Sequence, residues 1–334
     1  MGAVHAGWSE DDSSSTLGVL AGHVLELKFS TMSAAQALLP ALAWSSAASS
    51  APATLRIWVI DGRKHRFGLP QAPWSARNIG AHGVITGFND ARYSAVVTAG
   101  ARVLSLLDLE RGEAVFWAAD LEAIPVWERA APLRALLQIW SAAAGLALAH
   151  AGAVGRNGRG VLIVGRGGSG KSTTALACLA AGFDYAGDDY VLLSEQPGGG
   201  PRAHRIYSTA KLEPGHLQRL PPFFDGAGTQ SGRDKIALYL APEFGSQLAV
   251  SLALQAVVLP RVAGGTTRLE RCSAGAALLA LAPSTLLQAP ARDASQFRRL
   301  AKLIAPLPAY RLLLGEDIEH IPDRLADVLT HPEA

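Results

Sequence analysis

One run of eight residues constrains this chain more than any other: Gly165-Arg-Gly-Gly-Ser-Gly-Lys-Ser172. It satisfies G-x-x-x-x-G-K-[ST] at every fixed position. The apolar Val161-Leu-Ile-Val164 ahead of it reads as a buried strand, and Ser169–Ala181 reads as a helix. Glycines at these places let backbone N–H groups wrap phosphate oxygens, and the helix N-terminus adds positive potential. Lys171 supplies a point charge for the β- and γ-phosphates, the Ser172 hydroxyl suits Mg²⁺, and Thr173 falls nearer the α-phosphate. Gly165, Gly167, Gly168, Ser169, Gly170, Lys171, Ser172 and Thr173 are therefore the candidate nucleotide-binding residues. A strand, phosphate loop and helix in that order imply an α/β fold.

The next feature is Asp188-Asp189, directly ahead of the apolar Tyr190-Val-Leu-Leu193. A phosphoryl-transfer site needs a carboxylate near its metal and can use a second to take the acceptor proton. Neighbouring side chains of an extended segment point different ways, so one pair can serve both. The plainer reading is a solvated turn. His150 stands before the strand that leads to the loop and, taken alone, reads as a structural histidine. Lys211, Arg233, Lys235 and Arg261 are candidate phosphate or substrate contacts and equally read as solvated surface charges.

The length, 334 residues, makes about two domains at roughly 100–200 residues each. With 49% hydrophobic residues a sizeable core is expected, which excludes a disordered chain. Residues 1–150 carry 11 basic and 12 acidic side chains, against 19 and 16 in the remainder. No block is basic enough for a nucleic-acid groove or an anionic membrane surface. Two cysteines, Cys178 and Cys272, make neither a disulfide framework nor a four-ligand zinc site. The acidic, Ser-rich start is unlike a signal peptide, and no uncharged run reaches the roughly 20 apolar residues of a membrane span, so a cytoplasmic setting is expected.

Periodicity divides the chain into a loose tail over 1–16, a smaller α+β domain over 17–127 and a phosphate-loop domain over 128–334. Strands are expected at Val24–Phe29, Leu55–Ile60, Val96–Leu109 and Val115–Ala118, and a helix at Ala34–Trp44. A long helix over Glu128–Ala149 is expected to open the second domain. His204–Leu212 reads as one strand, Pro214–Leu220 as a short helix, and the Gly-rich Pro221–Asp234 as a lid or substrate loop.

The order Ala149-His-Ala-Gly-Ala-Val154, Gly160–Ser172, Ala186-Gly-Asp-Asp-Tyr-Val-Leu-Leu193 resembles the catalytic core of HPr kinase/phosphorylase, the bacterial serine kinase of the PEP-carboxykinase-like P-loop group. Farther on, Ile206-Tyr-Ser-Thr-Ala-Lys211, Lys235–Leu240 and Val257–Arg261 look more like the HPr-kinase-like proteins of peptide natural-product clusters, those beside lasso-peptide precursors above all. The resemblance implies a PEP-carboxykinase-like P-loop kinase domain with a mixed sheet, preceded by the smaller α+β domain. It implies ATP and Mg²⁺ as cofactors and a peptide or protein carrying an acceptor serine as partner. It also implies Asp188 as the base, His150 and Lys171 as its catalytic companions, and Ser172 with Asp189 for the metal; the residues alone do not say which aspartate does which. A small-molecule kinase of the same fold, or a non-catalytic ATP-binding module, fits the same motifs.

Overall fold

The computed structural model describes residues 13–42, 44–46, 52–64, 71–196, 199–213, 215, 224, 228–231, 235–286 and 294–331. The chain forms two compact units. One spans Met1–Ala144 with Ala289–Ala291, the other Gly145–Gln288 with Arg292–Ala334.

The first unit is one mixed sheet. Its strands are β1 (Ser14–Leu20), β2 (His23–Phe29), β3 (Ser45–Ser46), β4 (Leu55–Asp61), β5 (Tyr93–Thr98), β6 (Val103–Asp108) and β7 (Glu113–Ala118). They lie in the order β3-β1-β2-β4-β7-β6-β5. The central β2, β4 and β7 run parallel; the outer pairs are antiparallel. Helix α1 (Met32–Leu42) makes the crossover between β2 and β4 and buries Ala34, Ala35, Leu38, Ala41 and Leu42. A short helix α2 (Val126–Arg129) and the amphipathic α3 (Arg134–Ala143) follow, and α3 buries Leu136, Leu137 and Trp140.

Three expectations change here. The tail over 1–16 is not loose throughout: Ser14–Thr16 belong to β1, an alternately buried strand paired with β2. Its serines mask the alternation in sequence. Val96–Leu109 is not one strand; a turn at Ala99–Ala101, with Arg102 at φ 52°, folds it into β5 and β6. The helix expected over 128–149 ends at Ala143, where Gly145 at φ 77° turns the chain. Residues 128–144 thus pack with the first unit, and the boundary falls after Ala144.

The second unit carries β8 (Ala147–Ala149), β9 (Gly152–Arg156), β10 (Arg159–Ile163), β11 (Asp184–Gly187), β12 (Val191–Gln196), β13 (Gly200–Arg205), β14 (Thr209–Leu212), β15 (Gly228–Ser231), β16 (Ile236–Tyr239), β17 (Ser251–Val262), β18 (Arg268–Cys272) and β19 (Ala309–Leu314). Its helices are α4 (Lys171–Ala180), α5 (Ala241–Phe244), α6 (Ala274–Leu286), α7 (Ala294–Ile304) and α8 (Ile321–Thr330). The main mixed sheet runs β11-β9-β10-β17-β13-β12-β8, with β19 parallel to the far half of β17 and β18 beyond it. A separate three-stranded sheet runs β14-β16-β15. His204–Leu212 is therefore two strands in two sheets.

The main sheet is covered on both faces. Val161 and Ile163 of β10 join one core with α4 and α8, while Leu162 and Val164 join a second core with α6 and α7. That alternation is the period-2 geometry of a strand buried on both sides. β11 and β12 lie far apart in the strand order, yet only Asp188-Asp189-Tyr190 join them. Three residues span no more than about 3.6 Å each. The sheet must therefore curl until those strand ends approach, and the aspartate pair closes the gap. Among the described residues no helix is long and apolar enough to cross a membrane. The expected helix Pro214–Leu220 and loop Pro221–Asp234 lie outside the described residues, apart from Gly215, Phe224 and the strand β15.

Candidate functional site

The site grows from the end of β10. After Val164 the chain turns through Gly165–Gly170 and enters α4 at Lys171. Gly170 is the residue before the helix, at φ 104°, and a Cβ there would stand 2.3 Å from Leu314 Cδ1. The dihedral favours glycine, and any larger residue would also have to push the end of Leu314 aside. The Lys171 ammonium donates to the carbonyls of Gly165 at 2.7 Å and Arg166 at 3.3 Å, closing the loop over itself. Burial pulls that ammonium below its ordinary pKa, and the negative charges of Asp189 and Asp188 pull the other way. Ser169 Oγ is buried inside the turn with no hydrogen-bond partner among the described residues.

The two aspartates diverge, as neighbours at a strand end do. Asp188 is 2% exposed. Its Oδ1 accepts from Tyr185 Oη at 3.1 Å and its Oδ2 from the Lys211 amide at 3.1 Å. The Ser172 hydroxyl also bonds to it. Burial pushes this carboxyl above the ordinary range, the Asp189 charge adds to the push, and the bond from Ser172 opposes it. Gly152 of β9 makes room: a Cβ there would lie 2.9 Å from the Gly187 carbonyl and 3.1 Å from Asp188 Cα.

Asp189 faces a cavity instead. Its Oδ1 lies 2.7 Å from His150 Nε2 and its Oδ2 2.9 Å from Lys211 Nζ. Burial works against its ionisation, but the Lys211 ammonium and the His150 ring outweigh it and hold the carboxyl well below the ordinary range. Each partner arrives on its own element. β8 pairs with β12 so that Ala149 faces Val191, which sets His150 beside Tyr190, and the His150 amide donates to Thr285 Oγ1 of α6 at 3.0 Å. β14 brings Lys211.

One cavity joins loop and carboxylate. His150, Asp189, Lys211, Glu213 and Lys235 line it together with Arg166, Gly167, Gly168, Gly170, Lys171, Ser172 and Thr173. Its remaining wall, Leu212, Val262, Leu314, Gly315 and Ile318, is apolar apart from backbone. Of the residues singled out in the sequence, Gly165, Ser169 and Asp188 sit behind this lining. Arg261 is exposed on β17 and does not line the cavity, and Arg233 lies outside the described residues. The family resemblance makes Asp188 the base and sets Asp189 with Ser172 for the metal, while the residues alone leave the two roles open. The structure bonds Ser172 to Asp188 and turns Asp189 to the cavity. Tyr190 and the apolar wall carried no signal in the sequence, since only the pairing of distant strands assembles them.

No family model matches this sequence, and no curated protein matches it. Among solved structures the chain is similar to the Hpr(Ser) kinase/phosphatase from Coxiella burnetii, with 14% sequence identity and a TM-score of 0.28. That match covers 55% of this chain and 94% of the other. A superposition this loose transfers neither residues nor activity.

Proposed function

We propose that the chain is an ATP- and Mg²⁺-dependent kinase that transfers the γ-phosphoryl group to a serine hydroxyl of a precursor peptide of the lasso type. One observation carries the reading: the glycine-rich loop and a carboxylate braced by two partners, Asp189, line the same cavity. Lys171, an ammonium on the cavity lining, fits an anionic ligand there. The peptide acceptor rests on the likeness of Ile206–Lys211, Lys235–Leu240 and Val257–Arg261 to kinases encoded beside such precursors. The first unit, with its slight acidic excess, is where acceptor recognition is placed in this reading.

Among the described residues no three His, Cys, Asp or Glu side chains gather as a metal cage. Mg²⁺ needs none, since it is held through one or two protein oxygens, phosphates and water. Ser172 and Asp188 fit it: a hydroxyl and a carboxylate, both hard oxygen donors, are already in contact beside the phosphate loop. Bound there, the ion would neutralise charge on the phosphates.

The chain's own groups do the rest. The loop amides and Lys171 bind the β- and γ-phosphates. Asp189 accepts the acceptor's hydroxyl proton as the serine oxygen bonds to the γ-phosphorus and the bond to the β-bridging oxygen breaks. A depressed pKa is no obstacle, because phosphoryl transfer depends mainly on positioning and electrostatic clamping. His150 and Lys211 orient that carboxylate, and Lys235 adds charge at the cavity. The apolar wall of Val262, Leu314 and Ile318 receives the nucleoside.

The test is transfer of label from [γ-³²P]ATP to a panel of serine-bearing precursor peptides. Wild type is expected to label its peptide, and Lys171→Met and Asp189→Asn to lose the label. Label that survives both changes overturns the assignment.

A further inference from the structure

We infer that Tyr190 is a positioning residue whose ring fixes both partners of Asp189 at once. The inference rests on the reading of Asp189 as the acceptor-side carboxylate. Three observations converge on this one side chain. The Tyr190 ring stacks on the His150 ring, with centroids 5.0 Å apart and planes 21° from parallel. Lys211 Nζ lies 5.7 Å from the Tyr190 centroid. Those same two groups hold the two oxygens of Asp189, at 2.7 Å and 2.9 Å.

The chemistry of each contact is complementary. A parallel offset stack sets the plane of the imidazole, and so the line along which Nε2 meets Oδ1. The negative face of the ring attracts the ammonium. A lysine side chain carries much rotamer freedom, and a carboxylate between two mobile cations has no unique orientation. The ring removes that freedom from both sides. Tyr190 is itself 8% exposed, and it follows Asp189 directly in the chain. The pairing of Ala149 with Val191 then brings His150 beside it. A carboxylate, its two partners and the surface that orders them therefore come from two strands, β8 and β14, and one dipeptide.

Both contacts are made by the ring, so Phe must brace His150 and Lys211 as Tyr does and an aliphatic residue must not. The experiment compares wild type, Tyr190→Phe, Tyr190→Leu and Tyr190→Met. Diethyl pyrocarbonate modification of each histidine is followed by mass spectrometry, with the half-exposed His320 as internal reference. Label transfer from [γ-³²P]ATP is measured on the same samples. In wild type and Tyr190→Phe, His150 is expected to react slowly. In Tyr190→Leu and Tyr190→Met it is expected to react several-fold faster, with His320 unchanged. Transfer should fall roughly 10- to 100-fold in kcat, the scale of a catalytic group misplaced by about 1 Å, with KM for ATP retained. Tyr190→Phe should restore both readouts. Met is unbranched and adaptable enough to refill part of the space without a ring, which guards against a Leu variant that fails to fold. Equal His150 reactivity in the Met variant and wild type overturns the inference, as does a Phe variant as impaired as Met. If wild type transfers no label, the kinase reading fails, while the protection of His150 still decides whether the ring braces it.

Discussion

His150 Nε2 lies 2.7 Å from Asp189 Oδ1, whereas the adjacent Asp188 turns away to Ser172, Tyr185 and the Lys211 amide. Two identical side chains thus occupy opposite environments, one facing the cavity and one nine-tenths or more buried. Asp189→Asn keeps the shape and removes the proton acceptor. It is expected to lower kcat about 10²- to 10⁴-fold, the span of general-base contributions. ATP affinity, set by the loop and Lys171, should change little. Steady-state kinetics with nucleotide binding by fluorescence separates the two; an Asn variant that loses affinity and keeps kcat would contradict the assignment.

The same contrast has a signature in stability. Asp189 is held below its unfolded value of about 3.9, so it stabilises the fold above that pH and the contribution is lost as pH falls through its depressed value. Asp188 runs the other way. Its folded pKa is raised, so stability falls as pH rises from about 3.9 through the raised value, and the penalty persists above it. Asp188→Asn is then expected to raise Tm at pH 7 in metal-free buffer. Asp189→Asn should lower it. Below about pH 4 the Asp188→Asn gain should vanish. Thermal unfolding at the two pH values reads this, and a Tm loss for Asp188→Asn at pH 7 would count against it.

Two glycines separate local strain from displacement of the site. Ala at 170 must hold φ 104° and push back the end of Leu314, a flexible side chain. The strain costs about 1–3 kcal/mol and falls on the phosphate loop, so ATP affinity should drop. Ala at 152 meets backbone, the Gly187 carbonyl and Asp188 Cα, which cannot swing aside. Gly152→Ala should therefore shift the aspartate pair and reduce kcat while leaving ATP binding near wild type. Isothermal titration with ATP beside turnover of the two variants distinguishes these outcomes.

What could be read from the sequence followed from contiguity. Gly165–Ser172 declares itself because every group of the loop lies within eight residues, and β10 and α4 announce themselves by periodicity. Asp188-Asp189 was visible as a pair. Their division of labour was not, because it depends on how β11 and β12 come together across a curled sheet. Tyr190 carried no signal, since its partners His150 and Lys211 arrive on β8 and β14. Asp184–Gly187 is too short and mixed to read as a strand, yet it sets the aspartates in place. Ser14–Leu20 escaped because Ser14, Thr16 and Gly18 fill inward positions while Leu17 faces outward, which hides the alternation. Local patterns reveal elements and loops, while register between distant strands decides which side chains meet.

The apolar wall yields the last prediction. Val262 closes β17 with 67% of its surface exposed, beside Leu314 and Ile318 on the cavity lining. An exposed branched side chain next to a phosphate loop is suited to covering a flat apolar face, and burying it is worth about 1–2 kcal/mol. Val262→Asp removes that gain and sets a negative charge near the phosphates. ATP affinity is expected to fall roughly 10- to 30-fold, as about 1.4–2 kcal/mol implies. Inorganic tripolyphosphate carries the same phosphates without a nucleoside, so its affinity should fall only by the smaller electrostatic part. Val262→Ser, which adds no charge, isolates the apolar share: it should weaken ATP and leave tripolyphosphate unchanged. Equal losses for both ligands in the Ser variant would place the nucleoside elsewhere.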